Sequence, residues 1–262
     1  MNLSTLFESH PGQQAFNSPS ESGFTLNDDS SEVDPQDLGA SPLPDFGSNG
    51  AGASLIGGAL MAAVDPGALK PSIAAIADRI AGREGVNPDA LKRLIMIESS
   101  GNPNAGGTFK GLLQISDDIA RRYGASNPFD PEQNITAALR NIKANVLPRM
   151  EKALGMAANQ VPAIAVYLGH QQGMTGGPAI MAAALKGDTR PAWKVLQEGV
   201  NREIASYGGT GGMSDKAAQA AIRNNIPAEY PGDKNTISAV QFVNAWKNRM
   251  GEPAASTPFL KQ

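Results

Sequence analysis

Apolar residues recur at helical spacing through most of this chain, and that periodicity constrains its fold more than any other feature. From Pro71 onward, aliphatic residues return at intervals of three, four and seven positions. Such spacing places them on one face of a helix, whereas a half-buried strand would alternate with a period of two. The sequence contains no convincing alternating run and no internal repeat. We therefore predict an all-α fold with little or no β-structure.

Composition divides the chain into three segments. Residues 1–69 are rich in Ser, Gly, Pro and Asp, which predicts an arm that is disordered unless it binds a partner. Within this arm, Ala59–Val64 is a candidate short helix. Residues 70–207 carry most of the helical periods and are predicted to form the main domain. The run Gly208–Gly212 suggests a hinge, so residues 208–262 are predicted to form a small helical C-terminal appendage.

Glycine and proline set the predicted helix boundaries in the second half of the main domain. Met174–Gly177 is predicted to be a glycine-rich loop that precedes a helix over Pro178–Lys186. Two further helices are expected, over Pro191–Glu198 and Asn201–Tyr207. Pro148 is expected to break or kink the preceding helix because proline lacks a backbone N–H.

The numbers of cysteines and histidines, together with the charge distribution, limit the kinds of functional site that the chain can form. The chain has no cysteine, and its two histidines are His10 and His170. Disulfides, thiolate metal sites and multi-histidine metal sites are therefore excluded, and we predict neither a metal nor a cofactor. Residues 1–70 hold nine acidic residues and one lysine, whereas the remainder has a net charge of +5. A basic body suits an anionic polymer such as the cell wall or nucleic acid.

One acidic residue stands where packing does not explain it. Leu91, Leu94, Ile95 and Glu98 follow the spacing i, i+3, i+4 and i+7, so they share one helix face. Burial of a carboxyl group disfavours its charged form and raises its pKa. A protonated carboxyl at the end of an apolar stripe is suited to general acid catalysis. The alternative is a frayed helix end with Glu98 in water.

Five pieces of sequence, taken together, resemble the soluble lytic transglycosylase (SLT) family of the lysozyme superfamily. The pieces occur in the family's order, over roughly residues 71–190: Glu98-Ser99, Asn102–Ala105, Gly111–Ile115, Asp130–Ile135 and Tyr167. The resemblance implies a lysozyme-like α domain. It also implies cleavage of the MurNAc-GlcNAc β-1,4 bond of peptidoglycan with formation of 1,6-anhydro-MurNAc.

The resemblance implies that Glu98 is the single catalytic carboxyl, first an acid and then a base. Glycoside hydrolases that use water generally need two carboxylates at a defined separation. The other acids near the motifs, Asp117 and Asp118, begin the following helix, where negative charge is favourable. A site with one carboxyl fits attack by the sugar's own hydroxyl better than attack by water. A lysozyme-type hydrolase is the second possibility.

The same resemblance assigns supporting roles, each with a structural alternative. Gln114 is expected to contact sugar or orient the glutamate, or else to satisfy backbone groups. Ser99 is expected to hydrogen-bond near Glu98 or to cap the helix end. Gly111 is expected to let the chain approach the cleft closely. Tyr167 is expected to reach the catalytic carboxyl with its hydroxyl, or else to be a core aromatic.

The chain departs from the family pattern at several points. The loop before Gln114 is two residues shorter than usual, Leu113 replaces methionine, and Leu168 replaces the asparagine that follows the family tyrosine. His170 or Gln171 is a candidate to replace that asparagine contact in binding substrate. The His-Gln-Gln-Gly run that contains them is similar to transglycosylase domains of phage virion proteins.

These features predict a virion component, of the tail or the particle interior, that opens the cell wall locally in the host periplasm. The absence of a recognisable signal peptide, the long acidic arm and the C-terminal helical appendage favour this setting, and no apolar stretch is suited to span a bilayer. The expected partners are peptidoglycan glycan strands, and other virion or tail proteins through residues 1–69 and 208–262; nucleic acid is not expected. Two alternatives remain, namely the same chemistry in a bacterial secretion system and a non-catalytic structural module.

Overall fold

Helices account for nearly all regular structure in the part of the chain that the structure, a computed structural model, describes: residues 53–56, 59–251 and 254–261. The α-helices are α1 Pro71–Glu84, α2 Pro88–Ser99, α3 Asp117–Arg122, α4 Pro131–Asn141, α5 Leu147–Leu154, α6 Ala163–Gln171, α7 Gly173–Leu185, α8 Ala192–Ser206, α9 Asp215–Asn224 and α10 Ala239–Met250. The predicted all-α fold is confirmed. Within the described residues, no helix is both long and apolar enough to cross a membrane.

A two-stranded antiparallel hairpin precedes the helices. Strand β1, Ala53–Ile56, pairs with strand β2, Ala59–Ala62. The short helix predicted over Ala59–Val64 is therefore wrong. A helix of this length is unstable by itself, whereas strand pairing satisfies the backbone groups on the facing edges of both segments. Residues 1–52, 57 and 58 of the arm, predicted to be disordered, lie outside the described residues. Residues 63–69 are ordered, and Val64 and Leu69 are buried against the helices, so the prediction of disorder is wrong for this end of the arm.

The helices that carry the motifs begin at residues suited to capping. Asn87 accepts hydrogen bonds from the backbone N–H of Asp89 and Ala90 at the start of α2, and Pro88 occupies the first helical position. Ser116 caps α3 and Asp130 caps α4 through the same kind of side-chain acceptor. These caps fix where each helix starts and therefore which residues face the core.

Helix α4 does not end at a break before Pro148. It continues through a π-helical segment, Ile142–Val146, into α5, where proline occupies an early position. The π-turn changes the hydrogen-bonding pattern just before a residue that has no N–H to donate. The break predicted at Pro148 is therefore wrong, because the helical run is continuous and contains one π-turn, while the predicted kink stays a prediction.

The glycine-rich segments around α7 and α8 are helical, contrary to prediction. Helix α7 starts at Gly173 and includes the predicted loop Met174–Gly177, and α8 passes through Gly199 without interruption. A β-carbon on Gly177 would lie 2.4 Å from the Leu168 carbonyl oxygen, and one on Gly199 would lie 2.5 Å from Ala179 Cβ. These glycines allow helices to pack closely, and the packing outweighs their low helix propensity.

Residues after Gly212 pack onto the helices that precede them. Met213 donates its backbone N–H to Asn201 on α8 at 2.6 Å, and α9 and α10 contribute Ile222, Phe242 and Trp246 to the same hydrophobic core. The C-terminal segment is helical, as predicted. Its boundary at residue 208 stays a prediction.

Candidate active site

Helix α2 holds Glu98 at the inner end of its apolar stripe. Leu91, Leu94 and Ile95 are fully buried, and Glu98 is 5% exposed. The helix ends at Ser100, which adopts the left-handed conformation with φ of 52°. Because the stripe faces the core up to the last turn, the carboxyl is buried there and is not turned into water. The burial predicted from the spacing is confirmed.

Burial gives Glu98 an unusual acidity. Loss of hydration raises its pKa from 4.5 to about 8. No basic side chain in the described part of the chain forms an ion pair with it. The carboxyl therefore keeps its proton near neutral pH, which is the state that a general acid requires.

Ser99 joins the end of α2 to the loop Lys110–Ile115, which we call the glycine-glutamine loop. Its hydroxyl lies 2.9 Å from the carbonyl oxygen of Leu112 and 3.1 Å from that of Ile95. The loop closes on itself through reciprocal backbone hydrogen bonds between Lys110 and Ile115, of 3.0 and 3.1 Å. Ser99 thus fixes the loop against the last turn of α2, one residue after Glu98.

Gly111 is the tightest point of the glycine-glutamine loop. Its φ of 74° lies in the left-handed region. A β-carbon at this position would lie 2.2 Å from the Pro128 carbonyl oxygen and 2.3 Å from Asn134 Nδ2. Both conformation and space therefore require glycine. The close approach that the structure records is to the Pro128 turn and α4.

Asn134, on α4, is a site residue that sequence analysis did not single out. Its fully buried amide accepts from the backbone N–H of Leu113 and donates to the carbonyls of Lys110 and Pro128, each at 2.8 Å. One side chain thereby satisfies three backbone groups of two loops. The available signal was its place in the Asp130–Ile135 motif, but local periodicity does not show which distant loop an asparagine binds.

Gln114 adopts a left-handed backbone conformation, with φ of 42°. Its Nε2 donates to the Gly111 carbonyl at 2.7 Å, within the same loop. This contact corresponds to the alternative in which the amide satisfies backbone groups. The conformation is uncommon for a non-glycine residue and is maintained by the loop's own hydrogen bonds.

Tyr167, on α6, is fully buried, within electrostatic range of Glu98. Burial raises the pKa of its hydroxyl well above the usual value, and the nearby charge of Glu98 raises it further. Gln171 Nε2 donates to the Tyr167 Oη at 2.8 Å, so the proton of the hydroxyl is left to donate elsewhere. Glu98 therefore lies close enough to Tyr167 to act on it electrostatically, while the hydrogen bond to Tyr167 Oη comes from Gln171. Direct contact between the tyrosine hydroxyl and the carboxyl stays a prediction.

His170 and Gln171, the two candidates to replace the missing asparagine, both face this region. His170 Nε2 lies 3.0 Å from the Leu113 carbonyl oxygen. Because a carbonyl only accepts, Nε2 carries the ring proton, and burial lowers the pKa of the ring. Leu168 is fully buried in the core and does not offer a polar contact.

The neighbouring acids are engaged elsewhere. Asp117 forms an ion pair with Lys110 at 2.6 Å, and Asp118 pairs with Arg121. Both lie in the first turn of α3, as predicted. Within the described residues, no group of three or more histidine, cysteine or acidic side chains could hold a metal ion. The arrangement offers one buried, protonated carboxyl beside a tyrosine and a rigid polar loop.

Comparison with known families agrees with this geometry. Residues 76–159 match the family model of the transglycosylase SLT domain. The matched segment contains Glu98 and the glycine-glutamine loop but ends before Tyr167. No curated protein sequence matches the chain. The match supports a peptidoglycan substrate and peptidoglycan lytic transglycosylase activity in general. Residues 76–159 therefore match the transglycosylase SLT domain, which is consistent with the SLT family of the lysozyme-like superfamily that the sequence motifs predicted.

Proposed function

We propose that this protein cleaves the MurNAc-GlcNAc β-1,4 bond of peptidoglycan and leaves a 1,6-anhydro-MurNAc end. The observation that carries the proposal is the buried Glu98 carboxyl, whose pKa of about 8 keeps it protonated near neutral pH. The neighbouring residues of Glu98, namely Tyr167, Gln114 and the rest of the glycine-glutamine loop, support the same assignment.

The reaction needs one proton donor that later accepts a proton. Glu98 donates its proton to the glycosidic oxygen, and the bond from that oxygen to C1 of MurNAc breaks. The C6 hydroxyl of the same MurNAc bonds to C1 and returns its proton to Glu98. Water takes no part, and the carboxyl ends in its starting state. A second carboxylate, which a hydrolase would need to activate water or form a covalent intermediate, is not required.

The polar residues around Glu98 have distinct tasks in this proposal. Tyr167 holds the carboxyl through its hydroxyl, and Gln171 orients that hydroxyl from the other side. Gln114 and Gly111 place the loop where it contacts the sugar. Ser99 and His170 fix the loop through the carbonyl oxygens of Leu112 and Leu113 respectively. We assign substrate contact to Gln114, His170 and Gln171 as proposals.

The test is digestion of purified sacculi followed by mass spectrometry of the soluble muropeptides. Anhydro ends from the wild type, with none from Glu98→Gln, would support the proposal. Glu132→Gln, which removes an exposed carboxyl on α4, is the matched control and should release product normally. Reducing ends would instead assign a lysozyme-type hydrolase, and an inert wild type would favour the non-catalytic structural module.

The biological setting is a second part of the proposal. We propose a phage virion component, in the tail or particle interior, that opens the host cell wall during infection. The acidic composition of residues 1–70 supports a docking role for the arm, and the His-Gln-Gln-Gly run resembles virion transglycosylases. Proteomics of purified phage particles should detect the protein. Its presence in the supernatant of a bacterial secretion system, and not in particles, would assign the alternative carrier.

A further inference from the structure

Tyr167 packs against an aromatic residue that lies far beyond the SLT match. The ring centroids of Tyr167 and Trp246 are 4.9 Å apart, and the ring planes are tilted by 58°. Both side chains are buried. This separation and tilt are typical of favourable aromatic pairs. The ring that carries the hydroxyl beside Glu98 is therefore supported by α10.

Trp246 is itself fixed in place. Its Nε1 donates to the backbone carbonyl of Asn225 at 2.8 Å, inside the core. Helix α10 starts with a capping box in which Ser238 and Gln241 each accept a hydrogen bond from the other's backbone N–H. A ring held by packing, by a hydrogen bond and by a capped helix is a rigid support.

The position of the Tyr167 hydroxyl depends on the tilt of its ring. The Oη atom lies at the far end of the ring from the backbone, so a small tilt moves it by about an ångström, enough to matter for a catalytic contact. Gln171 holds Oη from one side, while Glu98 on α2 and Arg249 on α10 are the charged groups that act on it. Trp246 contacts the ring itself, whereas these groups act at its hydroxyl.

We propose that Trp246, on the segment after residue 208, is a positioning residue for Tyr167 and through it for Glu98. Trp246 acts on the ring of Tyr167 and not on substrate. The inference rests on the proposed function, because the pair that it positions is the proposed catalytic pair. It assigns to α10 a part in the active site that the SLT match, which ends at residue 159, does not include.

Substitutions of Trp246 with and without a ring test this assignment. Trp246→Met and Trp246→Leu both remove the ring. Activity is measured on the variant that is folded at the assay temperature. Either should lower kcat about ten- to a hundredfold with little change in KM, because the contact with substrate is unaltered. Trp246→Phe keeps a ring on Tyr167 and should stay within about threefold of wild type.

A matched control separates positioning from loss of stability. Phe242, on the same helix and fully buried, should lower the melting temperature when changed to Met but leave kcat nearly unchanged. The pH profile adds a second readout. Water admitted beside Tyr167 by the ring-less Trp246 variants should move the alkaline limb of activity to lower pH. Phe242→Met should not move this limb.

A double-mutant cycle with Tyr167→Phe decides the outcome. If Trp246 acts through the tyrosine hydroxyl, its substitution should cost little further activity once that hydroxyl is absent. Equal losses in both backgrounds, or a ring-less variant with wild-type kcat and pH profile, would overturn the inference. These results require an active wild type. An inert wild type would instead be the failure of the proposed function.

Discussion

The amide of Asn134 accepts a hydrogen bond from the backbone N–H of Leu113 at 2.8 Å and so fixes the glycine-glutamine loop to α4. The same amide donates to the carbonyls of Lys110 and Pro128. Because all three partners are backbone groups, the contact specifies the path of the loop and is independent of the loop's side chains. The shape of the loop therefore depends on a buried side chain of α4.

Replacement of Asn134 by Asp should disrupt this loop. Aspartate keeps an acceptor for Leu113 but loses both donations and faces two carbonyl oxygens with a carboxyl group. Each buried group left without a partner costs roughly 1–3 kcal/mol, so we expect a loss of about 3 kcal/mol or more in the free energy of unfolding. Urea unfolding measures this loss, and muropeptide release should fall with it.

Asn145→Asp provides the control, because Asn145 donates to Tyr123 Oη and Asn141 Oδ1 away from the loop. It should lose stability without abolishing activity. An Asn134→Asp variant as stable and active as wild type would contradict the assigned role of Asn134.

Gly111→Ala should be far more damaging than Gly155→Ala. Both glycines have a left-handed φ, 74° and 64°, so either substitution incurs a similar backbone strain of roughly 1–2 kcal/mol. Only at Gly111 would the new β-carbon also collide with the Pro128 carbonyl and Asn134; at Gly155 nothing lies within 4 Å. Thermal unfolding of both variants isolates the cost of the collision. Equal losses would mean that the loop relaxes freely.

Glu98→Gln should stabilise the protein increasingly as pH rises. The folded-state pKa of about 8 exceeds the ordinary value of 4.5. Between these values the unfolded chain has released the proton that the folded chain retains, so wild-type stability falls as pH increases through this window. Glutamine does not titrate, so the variant should exceed wild type by a few kcal/mol, to order of magnitude, at about pH 8. Urea unfolding at several pH values measures this.

The control for this experiment is Glu132→Gln, which should show no such gain. A hydrogen bond from Arg79 lowers the pKa of Glu132 to about 2. Its contribution to stability is therefore present above its ordinary pKa and is lost as pH falls, which is the opposite sign to Glu98. If both variants gained stability alike with rising pH, burial of Glu98 would not be the cause.

The pH dependence of enzyme activity should follow the pKa of Glu98. A general acid works only while protonated, so release of muropeptides should stay high to about pH 8 and then fall about tenfold per pH unit. Initial rates on sacculi across the pH range, at temperatures where the fold persists, provide the measurement. A fall already near pH 5 would indicate an ordinary, solvated carboxyl.

Sequence periodicity predicted the buried face of α2 correctly because an apolar stripe is a local signal. Prediction of α7 and α8 was wrong where glycine was taken as a helix end. At Gly177 and Gly199 the missing side chain makes room for a neighbouring helix. This role depends on which helix packs against the glycine, and the neighbouring sequence does not indicate that helix.

The candidate site was likewise predictable only in part. The motifs placed Glu98 and Tyr167 on helices and the glycine-glutamine loop between them, and the structure brings these parts together. Asn134 and Trp246 were not predicted as site residues. Each acts through a contact that spans tens of residues in sequence, so neither helical spacing nor residue type could indicate it.

The end of the described chain ties the helices of Glu98 and Tyr167 together. Phe259 accepts from Asn87 N–H at the start of α2 and donates to Val161, and Thr257 accepts from Ala163 N–H at the start of α6. During synthesis, residues 257–261 leave the ribosome after every element that they bridge. The two helices can therefore be tied only once the rest of the described chain has been made. A nascent chain that lacks residues 257–261 therefore lacks the hydrogen bonds that connect the helix of Glu98 with the helix of Tyr167.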